Sequence, residues 1–381
     1  MRTPAEPMLG AQHGSAVSLH RPRHVLMTVD AVGGVWRYAM DLAATLKRAG
    51  FSFTFAGFGP PPSEGQRAEA DAHGDLVWLD APLDWMATDE HGLRDVPALI
   101  AQLVEDREID LVHLNLPSQA AGLDIEVPVL AVSHSCTVTW FAAVRGTGMP
   151  PDWLWQERLN RAGFEAADMI VTPSRAHAGM LRQSYGEIGC PRVVHNGSDA
   201  VAASIARENF VFAAGRWWDD GKNAGVLDTA AASTEWPVLM AGATHGPNGA
   251  VRELAHARWM GELGHAEVMA RMRQCGIFVS PSRYEPFGLA PLEAAGSGAA
   301  MVLSDIPTYR ELWDGVAVFA DKDDPAAFAD AINGLSRDAE RCRKLGAAAR
   351  ERAGRYTLAA QGRAMQQVYE SLLLPSLSRT A

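Results

Sequence analysis

Short apolar runs alternate with amphipathic stretches along almost the whole chain. HVLMTV (24–29), FSFTFA (51–56), DLVWL (75–79), DLVHL (110–114), PVLAV (128–132), MIVT (169–172) and RVVH (192–195) predict strands. The segments between them carry helical periodicity. The clearest is VWRYAMDLAATLKRAG, in which Val35, Ala39, Leu42, Ala43 and Leu46 share one face. Lys47, Arg48 and then Gly50 close it as a helix end should. The alternation restarts after HNGSDA (195–200), with FVFAA (210–214), PVLM (237–240), GIFVS (276–280), AMVL (300–303) and VAVFA (316–320) as a second strand set. Each set predicts a parallel sheet flanked by helices, an α/β architecture. The seam near 196–208 is the expected hinge, and a cleft is expected between the carboxyl ends of the two sheets. A last helix, 356–374, presents Leu358, Met365, Val368, Tyr369 and Leu372 and needs a surface to pack on. The expected division is a disordered tail 1–22, a first domain 23–197, a second domain 198–355 and the closing helix 356–374.

Composition narrows the class. With 381 residues, 48% apolar and 21% charged, the chain can bury two cores. The net charge of −11 makes nucleic acid an unfavourable partner. Bulk charge does not favour an anionic membrane surface either, and a local patch stays open. Cys136, Cys190, Cys275 and Cys342 are far apart and lack metal-ligand spacing, which fits a reducing compartment. No sustained apolar run opens the chain and no apolar stretch reaches membrane-spanning length. The expected location is therefore cytoplasmic, with peripheral association at the inner face of the membrane left open.

The candidate chemistry centres on SRYEPFGLAPLEAAGSG (282–298), where Glu285 and Glu293 flank a glycine turn. A buried strand precedes it and helix formers follow Leu289. The free N–H groups of such a helix start attract phosphate. Two carboxylates would repel phosphate, so they are expected to meet something else on the same ligand, such as sugar hydroxyls. In AAGRWWDDGKN, Arg216 and Lys222 sit on a loop between a strand and a helix, a place for a polyanion or simply two surface cations. Asp219 and Asp220 read as solvated or capping residues rather than metal ligands. Gly33 and Gly34 precede the first helix and would let backbone approach a ligand; a plain tight turn accounts for them equally well. His134 lies just past strand 128–132, where it could bond a sugar hydroxyl, help accept a proton, or be a satisfied structural histidine. His113 and Asn115 sit at a similar edge with a weaker claim. Trp153 and Trp155 read as core or lid, and Trp217 and Trp218 as walls of the cleft. The glycine-bordered loop Gly261, Leu263, Gly264 could read a flat heterocycle or serve as a connector.

Together these pieces resemble glycosyltransferase family 4, the retaining sugar transferases of the GT-B fold, over about residues 23–374. Glu285 and Glu293 match the family's E-x7-E signature, with Phe287, Gly288 and Leu289 inside it. GGVWRYAMDLAATL resembles the acceptor-side glycine loop and first helix, and AAGRWWDDGKN the Gly-Arg loop with its later lysine. SDIPTYREL, with Glu311, resembles the segment after the signature helix, and the final helix the one that crosses back to the first domain. The resemblance implies two Rossmann-like doubly wound domains facing a cleft. It also implies a nucleoside-diphosphate sugar as donor, a glycan, lipid-linked or small-molecule acceptor, and no metal or other cofactor. Arg216 and Lys222 would bind the diphosphate, Glu285 the donor sugar and Glu293 the ribose diol. Backbone at Phe287, Gly288 and Leu289 would meet phosphate, and Leu263 in its loop would face the base. Gly33 and Gly34 would approach the sugar-phosphate, and His134 the sugar and acceptor. Two departures stand out. The arginine-to-lysine spacing is six where many members show five, and Gly298-Ala299-Ala300 replaces a common Gly-Thr-Pro.

Other functions on the same pattern are a sugar phosphorylase, a nucleotide-sugar epimerase or a non-catalytic sugar-binding module. A nicotinamide-dependent oxidoreductase is disfavoured, because strand one is not followed by GxGxxG or by an acid about 20 residues on at a strand end.

Overall fold

The computed structural model describes residues 23–199, 206–246 and 249–374. The expected tail 1–22 and part of the expected hinge, 200–205, lie outside the described residues. Two parallel sheets organise the molecule. The first contains β1 (Arg23–Asp30), β2 (Phe51–Phe58), β3 (Asp75–Trp78), β4 (Leu111–Leu114), β5 (Val129–Val132), β6 (Met169–Thr172) and β7 (Arg192–Val193), in the order β3-β2-β1-β4-β5-β6-β7. The second contains β8 (Glu208–Ala214), β9 (Val238–Ala241), β10 (Arg258–Trp259), β11 (Cys275–Ser280), β12 (Ala300–Ser304) and β13 (Val318–Ala320), in the order β10-β9-β8-β11-β12-β13. Each predicted apolar run is a strand. β10 was not anticipated: it is two exposed residues at a sheet edge and has no apolar run to announce it.

The runs are continuous because the strands are covered on both faces. In β1, Val25, Met27 and Val29 pack under the helix Gly34–Lys47, while Leu26 packs with Ile100, Leu103 and Val112 on the other side. Burying a side chain of the size of Met27 or Phe55 contributes roughly 1.5–3 kcal/mol each, so an inward polar residue would be costly in either direction. Cys275 opens β11 fully buried, as a core residue.

The final helix, Leu358–Leu373, returns to the first sheet. Its Met365, Val368 and Tyr369 are fully buried in one cluster with Ala39, Leu42, Ala43 and Leu46 of the helix Gly34–Lys47. The two helices meet closely at Gly362, where a Cβ would lie 2.2 Å from Thr45 Cγ2.

In each sheet the strand order reverses once at the centre, between β1 and β4 and between β8 and β11. Crevices open at the carboxyl ends of such reversals. The segments leaving those ends meet across the cleft. A Cβ on Gly33, after β1, would lie 3.4 Å from Arg216 Nη1, after β8, and one on Gly34 would lie 3.7 Å from Leu289 Cδ1. Among the described residues, no helix is long and apolar enough to cross a membrane.

Candidate active site

One wall of the cleft grows from β8 and β11. Arg216 follows β8 after Gly215; its guanidinium lies over the Trp218 ring at 5.5 Å and 3.8 Å from Asp219 Oδ2. The loop then folds back on itself. Asp219 Oδ1 accepts from Gly221 N at 2.8 Å, and Asn223 adopts a left-handed backbone, φ 56°. Few non-glycine residues hold that conformation without side-chain support. Asn223 has it: Nδ2 donates to Pro281 O at 3.0 Å and to Lys322 O at 2.7 Å. That anchor fixes its neighbour. Lys222 Nζ donates to Glu285 Oε2 at 2.6 Å, and both side chains are largely shielded.

Gly288 then opens the helix Leu289–Gly296 with φ 93°, and a Cβ there would meet Tyr309 Cε1 at 3.1 Å and Glu285 Cγ at 3.3 Å. The left-handed conformation favours glycine, and the space for a side chain is tight. No side chain caps this helix start, so its first N–H groups are left for a ligand. Phe287 is buried beneath the turn. On the helix itself, Glu293 is enclosed beside His265, whose Nε2 lies 4.0 Å away. Burial pushes the Glu293 carboxyl up to about 7; nearby Asp41 adds to the rise and Arg37 opposes it. Asp41 is itself pushed up to about 6, chiefly by burial. Arg37 holds this cluster together, bonded to Asp41 Oδ1 at 3.3 Å and paired with Glu69. Leu263 packs among Phe212, Met269 and Met272, and Gly264 caps the helix His265–Gln274, so that loop borders Glu293.

The facing wall grows from β1, β4 and β5. Buried Asp30 ends β1 and accepts from Val32 N at 3.0 Å, which shapes the Gly33–Gly34 turn. His134 leaves β5 and bonds through Nε2 to Asn115 Oδ1 at 2.7 Å. Asn115 also receives His113 Nε2 at 3.1 Å and is tied to Thr28 by two bonds of 2.8 and 2.6 Å. Tyr38 stands edge-on to His134, with ring centroids 4.3 Å apart. Burial drives the pKa of His134 and of His113 down to about 3, so both imidazoles are neutral near pH 7.

A second set of bonds crosses between the domains beside the cleft. Tyr284 OH accepts from Cys136 N at 3.2 Å and bonds Thr139 Oγ1 at 2.8 Å. Ser174 Oγ donates to Pro286 O at 2.6 Å, and Trp140 Nε1 to Asp219 Oδ1 at 2.9 Å. Arg145 bonds Asp220 at 2.7 Å. Glu311 accepts from Arg175 N at 3.0 Å and Ala176 N at 2.7 Å, capping the first turn of a helix of the other domain.

The structure thus brings Arg216, Lys222, Glu285, Gly288 and Leu289 together, with Gly33 and Gly34 opposite. Glu293 and Leu263 lie along the same helix-and-loop edge, and His134 lies on the opposite wall. Asp219 and Asp220 hold bonds within the loop and across the cleft. Trp217 requires correction. It does not wall the cleft: it is 2% exposed, packs in the second core and donates through Nε1 to Ala241 O at 2.8 Å. Trp218 alone stays beside Arg216. Trp155 is buried and Trp153 is exposed. Asn223, Tyr284 and Glu311 were not singled out for a role. A left-handed asparagine beside the lysine has no sequence signal, and the bonds of Tyr284 and Glu311 span more than a hundred residues of chain.

Comparison with known proteins agrees with this geometry. Residues 32–201 match the family described as Glycosyltransferase Family 4, and residues 250–352 match Glycosyl transferases group 1. The chain is 28% identical to alpha-maltose-1-phosphate synthase of Mycolicibacterium smegmatis, across 73% of this chain and 85% of that protein. It is 27% identical to GDP-mannose:cellobiosyl-diphosphopolyprenol alpha-mannosyltransferase of Xanthomonas oryzae pv. oryzae, across 49% of this chain and 54% of that one. Among solved structures, sucrose-phosphate synthase of Thermosynechococcus elongatus superposes with a TM-score of 0.78 at 18% identity, covering 93% of this chain and all (100%) of that one. Anabaena Alr3699/HepE in complex with UDP-glucose superposes with a TM-score of 0.71 at 17% identity, covering 91% and 99%. With its two doubly wound sheets and a cleft between their switch points, the chain has the GT-B fold and belongs to glycosyltransferase family 4.

Proposed function

We propose that this glycosyltransferase moves a hexosyl unit from a nucleoside-diphosphate sugar to a glycan or glycoconjugate-precursor acceptor, with retention of anomeric configuration. The observation that carries the reading is the Lys222–Glu285 pair at 2.6 Å, set beside Arg216 and an uncapped helix start. A cation, a carboxylate and free N–H groups in one place suit a ligand that is phosphate at one end and polyol at the other. A structural neighbour in complex with UDP-glucose supports the same class of donor.

In this reading Arg216 and Lys222 bind the diphosphate together with the N–H groups after Gly288. Glu285 accepts from hydroxyls of the donor sugar and Glu293 from the ribose diol. The loop at Leu263 faces the base. As the bond from the anomeric carbon to phosphate breaks, charge builds on the departing diphosphate. Fixed cations and N–H dipoles stabilise that charge, each by about 2.7–4 kcal/mol in a water-poor cleft. The acceptor oxygen attacks from the same face, its bond to the anomeric carbon forms, and its proton passes to a phosphate oxygen. No metal is given a role, since Arg216 and Lys222 supply positive charge. The bonds from Tyr284, Ser174 and Glu311 hold the domains closed around the donor, which keeps water from taking the acceptor's place. A cytoplasmic site of action, with transient contact with a membrane when the acceptor is lipid-linked, suits this chemistry.

The test is thermal stabilisation of the purified protein by UDP, GDP, ADP, TDP and NAD, with and without magnesium. A ligand that binds only the folded state raises its stability by RT ln(1 + [L]/Kd). The expected result is a shift with one diphosphate that magnesium does not change. A shift with NAD alone would overturn the reading, and a diphosphate shift that requires magnesium would overturn the metal-free version. Incubation of the identified donor with inorganic phosphate in place of an acceptor separates transfer from phosphorolysis.

A further inference from the structure

His113 and Tyr369 are fully buried, bonded to one another, and outside every step described above. We propose that Tyr369, His113 and Asn115 form a hydrogen-bond relay that fixes His134 as the Nε2–H tautomer, so that the first-domain wall offers the donor sugar a hydrogen-bond acceptor. The proposal rests on the reading that His134 meets the sugar; the relay itself rests on bond directions alone.

Those directions follow from one fixed point. The Thr28 carbonyl oxygen can only accept, so the group of Asn115 that reaches it at 2.6 Å is the Nδ2 amide. Asn115 Oδ1 is therefore turned towards the two imidazoles. It can only accept, so the Nε2 atoms of His134, at 2.7 Å, and of His113, at 3.1 Å, must both carry hydrogen. Each ring is neutral and so has one proton. His113 Nδ1 is then a lone pair, and Tyr369 O–H donates to it at 2.6 Å. The same step leaves His134 Nδ1 as a lone pair. The groups around His134 are Asn115, Tyr38 and, through the packed interior, His113 and His177; burial keeps all the titratable members of that set uncharged near pH 7. Tyr38 contributes packing, edge-on to both rings at 4.3 and 6.0 Å, and its hydroxyl has no hydrogen-bond partner among the described residues.

Tyr369 belongs to the helix Leu358–Leu373, which reaches this wall from the far end of the chain, 256 residues from His113. Docking of that helix is thus tied to the state of a cleft residue. Without the Tyr369 O–H, His113 is free to move its proton to Nδ1. That turns an Nε2 lone pair against Asn115 Oδ1 and loosens the amide that holds His134. A lone pair at His134 Nδ1 accepts from a sugar hydroxyl and gives nothing back. A neutral ring also avoids opposing the positive charge that develops at the anomeric carbon. Tyr369, His113 and Asn115 act through His134 and are positioning residues.

The test is long-range 1H–15N spectroscopy of the full chain labelled at histidine, from pH 6 to 8 and without donor, with His134→Gln identifying the His134 resonances. The relay predicts an Nε2–H tautomer for both His113 and His134 and no titration of either across that range. In Tyr369→Phe, which keeps the ring in the core, the His113 signals should move to mixed or Nδ1–H character. The kcat for transfer should then fall about 5- to 30-fold, the loss expected for one or two hydrogen bonds, with donor KM within about threefold of the original value. Asn115→Asp gives an independent reading: a carboxylate in contact with His134 Nε2–H should bring its titration into the pH 6–8 window. An Nδ1–H tautomer at His134, a Tyr369→Phe spectrum identical to the original, or unchanged kcat in Tyr369→Phe each overturns the proposal. Because the spectra need no donor, an intact tautomer pattern in a protein that binds no nucleotide would sink the transferase site assignment and leave the relay standing.

Discussion

The wall built on the second sheet carries Arg216, Lys222, Glu285 and Glu293, all ionisable and gathered on two loops and the helix that follows the second. The wall built on the first sheet carries Asp30 at its edge and, behind it, Thr28, Asn115, His113 and His134, which are bonded to one another and uncharged near pH 7. Charge on one side meets the part of a donor whose charge changes during transfer. Neutral hydrogen bonding on the other side suits a sugar, which has hydroxyls to satisfy and a developing positive centre that cations would oppose. The division also explains how each wall is held. Ionic groups are placed by local backbone devices: left-handed Asn223, left-handed Gly288 and a helix start. The neutral network is placed by partners from three strand ends and the last helix.

The largest effect should come from discharging the ionic wall. Lys222→Ala and Glu285→Gln should each lower transfer about 10²- to 10³-fold, read by steady-state turnover. The fold should persist, because the pair lines the cleft and belongs to neither hydrophobic core. If both variants keep turnover within tenfold of the original, the contrast between the walls fails at its strongest point.

A second test separates the two carboxylates. Glu293 holds its proton in the folded protein up to about 7, against an ordinary value of 4.5. Between those values the folded state binds more protons than the unfolded state. Stability therefore falls as pH rises through that window. Glu293→Gln should remove much of that fall, making the ligand-free protein up to ~3 kcal/mol more stable than the original at pH 8 and little different at pH 4.5. Asp41, pushed up to about 6, keeps part of the slope with the same sign. Urea unfolding at the two pH values checks this; an equal change at both would remove the buried-carboxyl account. The same variant should weaken nucleotide binding, so the site would be traded against stability at this position.

The smallest effect concerns the closed arrangement of the walls. Glu311→Gln keeps the shape but replaces a carboxylate that accepts two backbone N–H groups of the opposite domain. A loss of about 1 kcal/mol is expected. It should appear as a donor KM raised a few-fold with kcat nearly unchanged, because closure, not charge, has been weakened. A fall in kcat as large as that of Lys222→Ala would merge the hinge with the chemistry and break the distinction.

Much of this was legible before any coordinates. Strands covered on both faces must be apolar throughout, so HVLMTV and GIFVS announce themselves, whereas edge strand Arg258–Trp259 buries nothing and does not. Arg216, Lys222, Glu285 and Glu293 stand out because phosphate and diol chemistry needs those side chains and because each lies beside a strand end or helix start. Trp217 was misread since a pair of adjacent tryptophans does not reveal which ring turns inward; the structure turns it onto Ala241 and leaves Trp218 with Arg216. Gly33 and Gly34 could have been a plain turn; the tertiary structure sets them opposite Arg216 and Leu289 of the other domain, at distances where a Cβ would make ordinary contacts.

Residue type and local spacing therefore determined two parallel sheets, a cleft and its ionic wall, because burial patterns and charge are properties of short segments. Tertiary structure decided the neutral wall, where the Tyr369 hydroxyl meets His113 across 256 residues, and the bonds between the domains, where the Tyr284 hydroxyl meets Cys136 across 148. A hydrogen bond depends on distance and direction between two atoms. Sequence separation carries neither until the chain has packed.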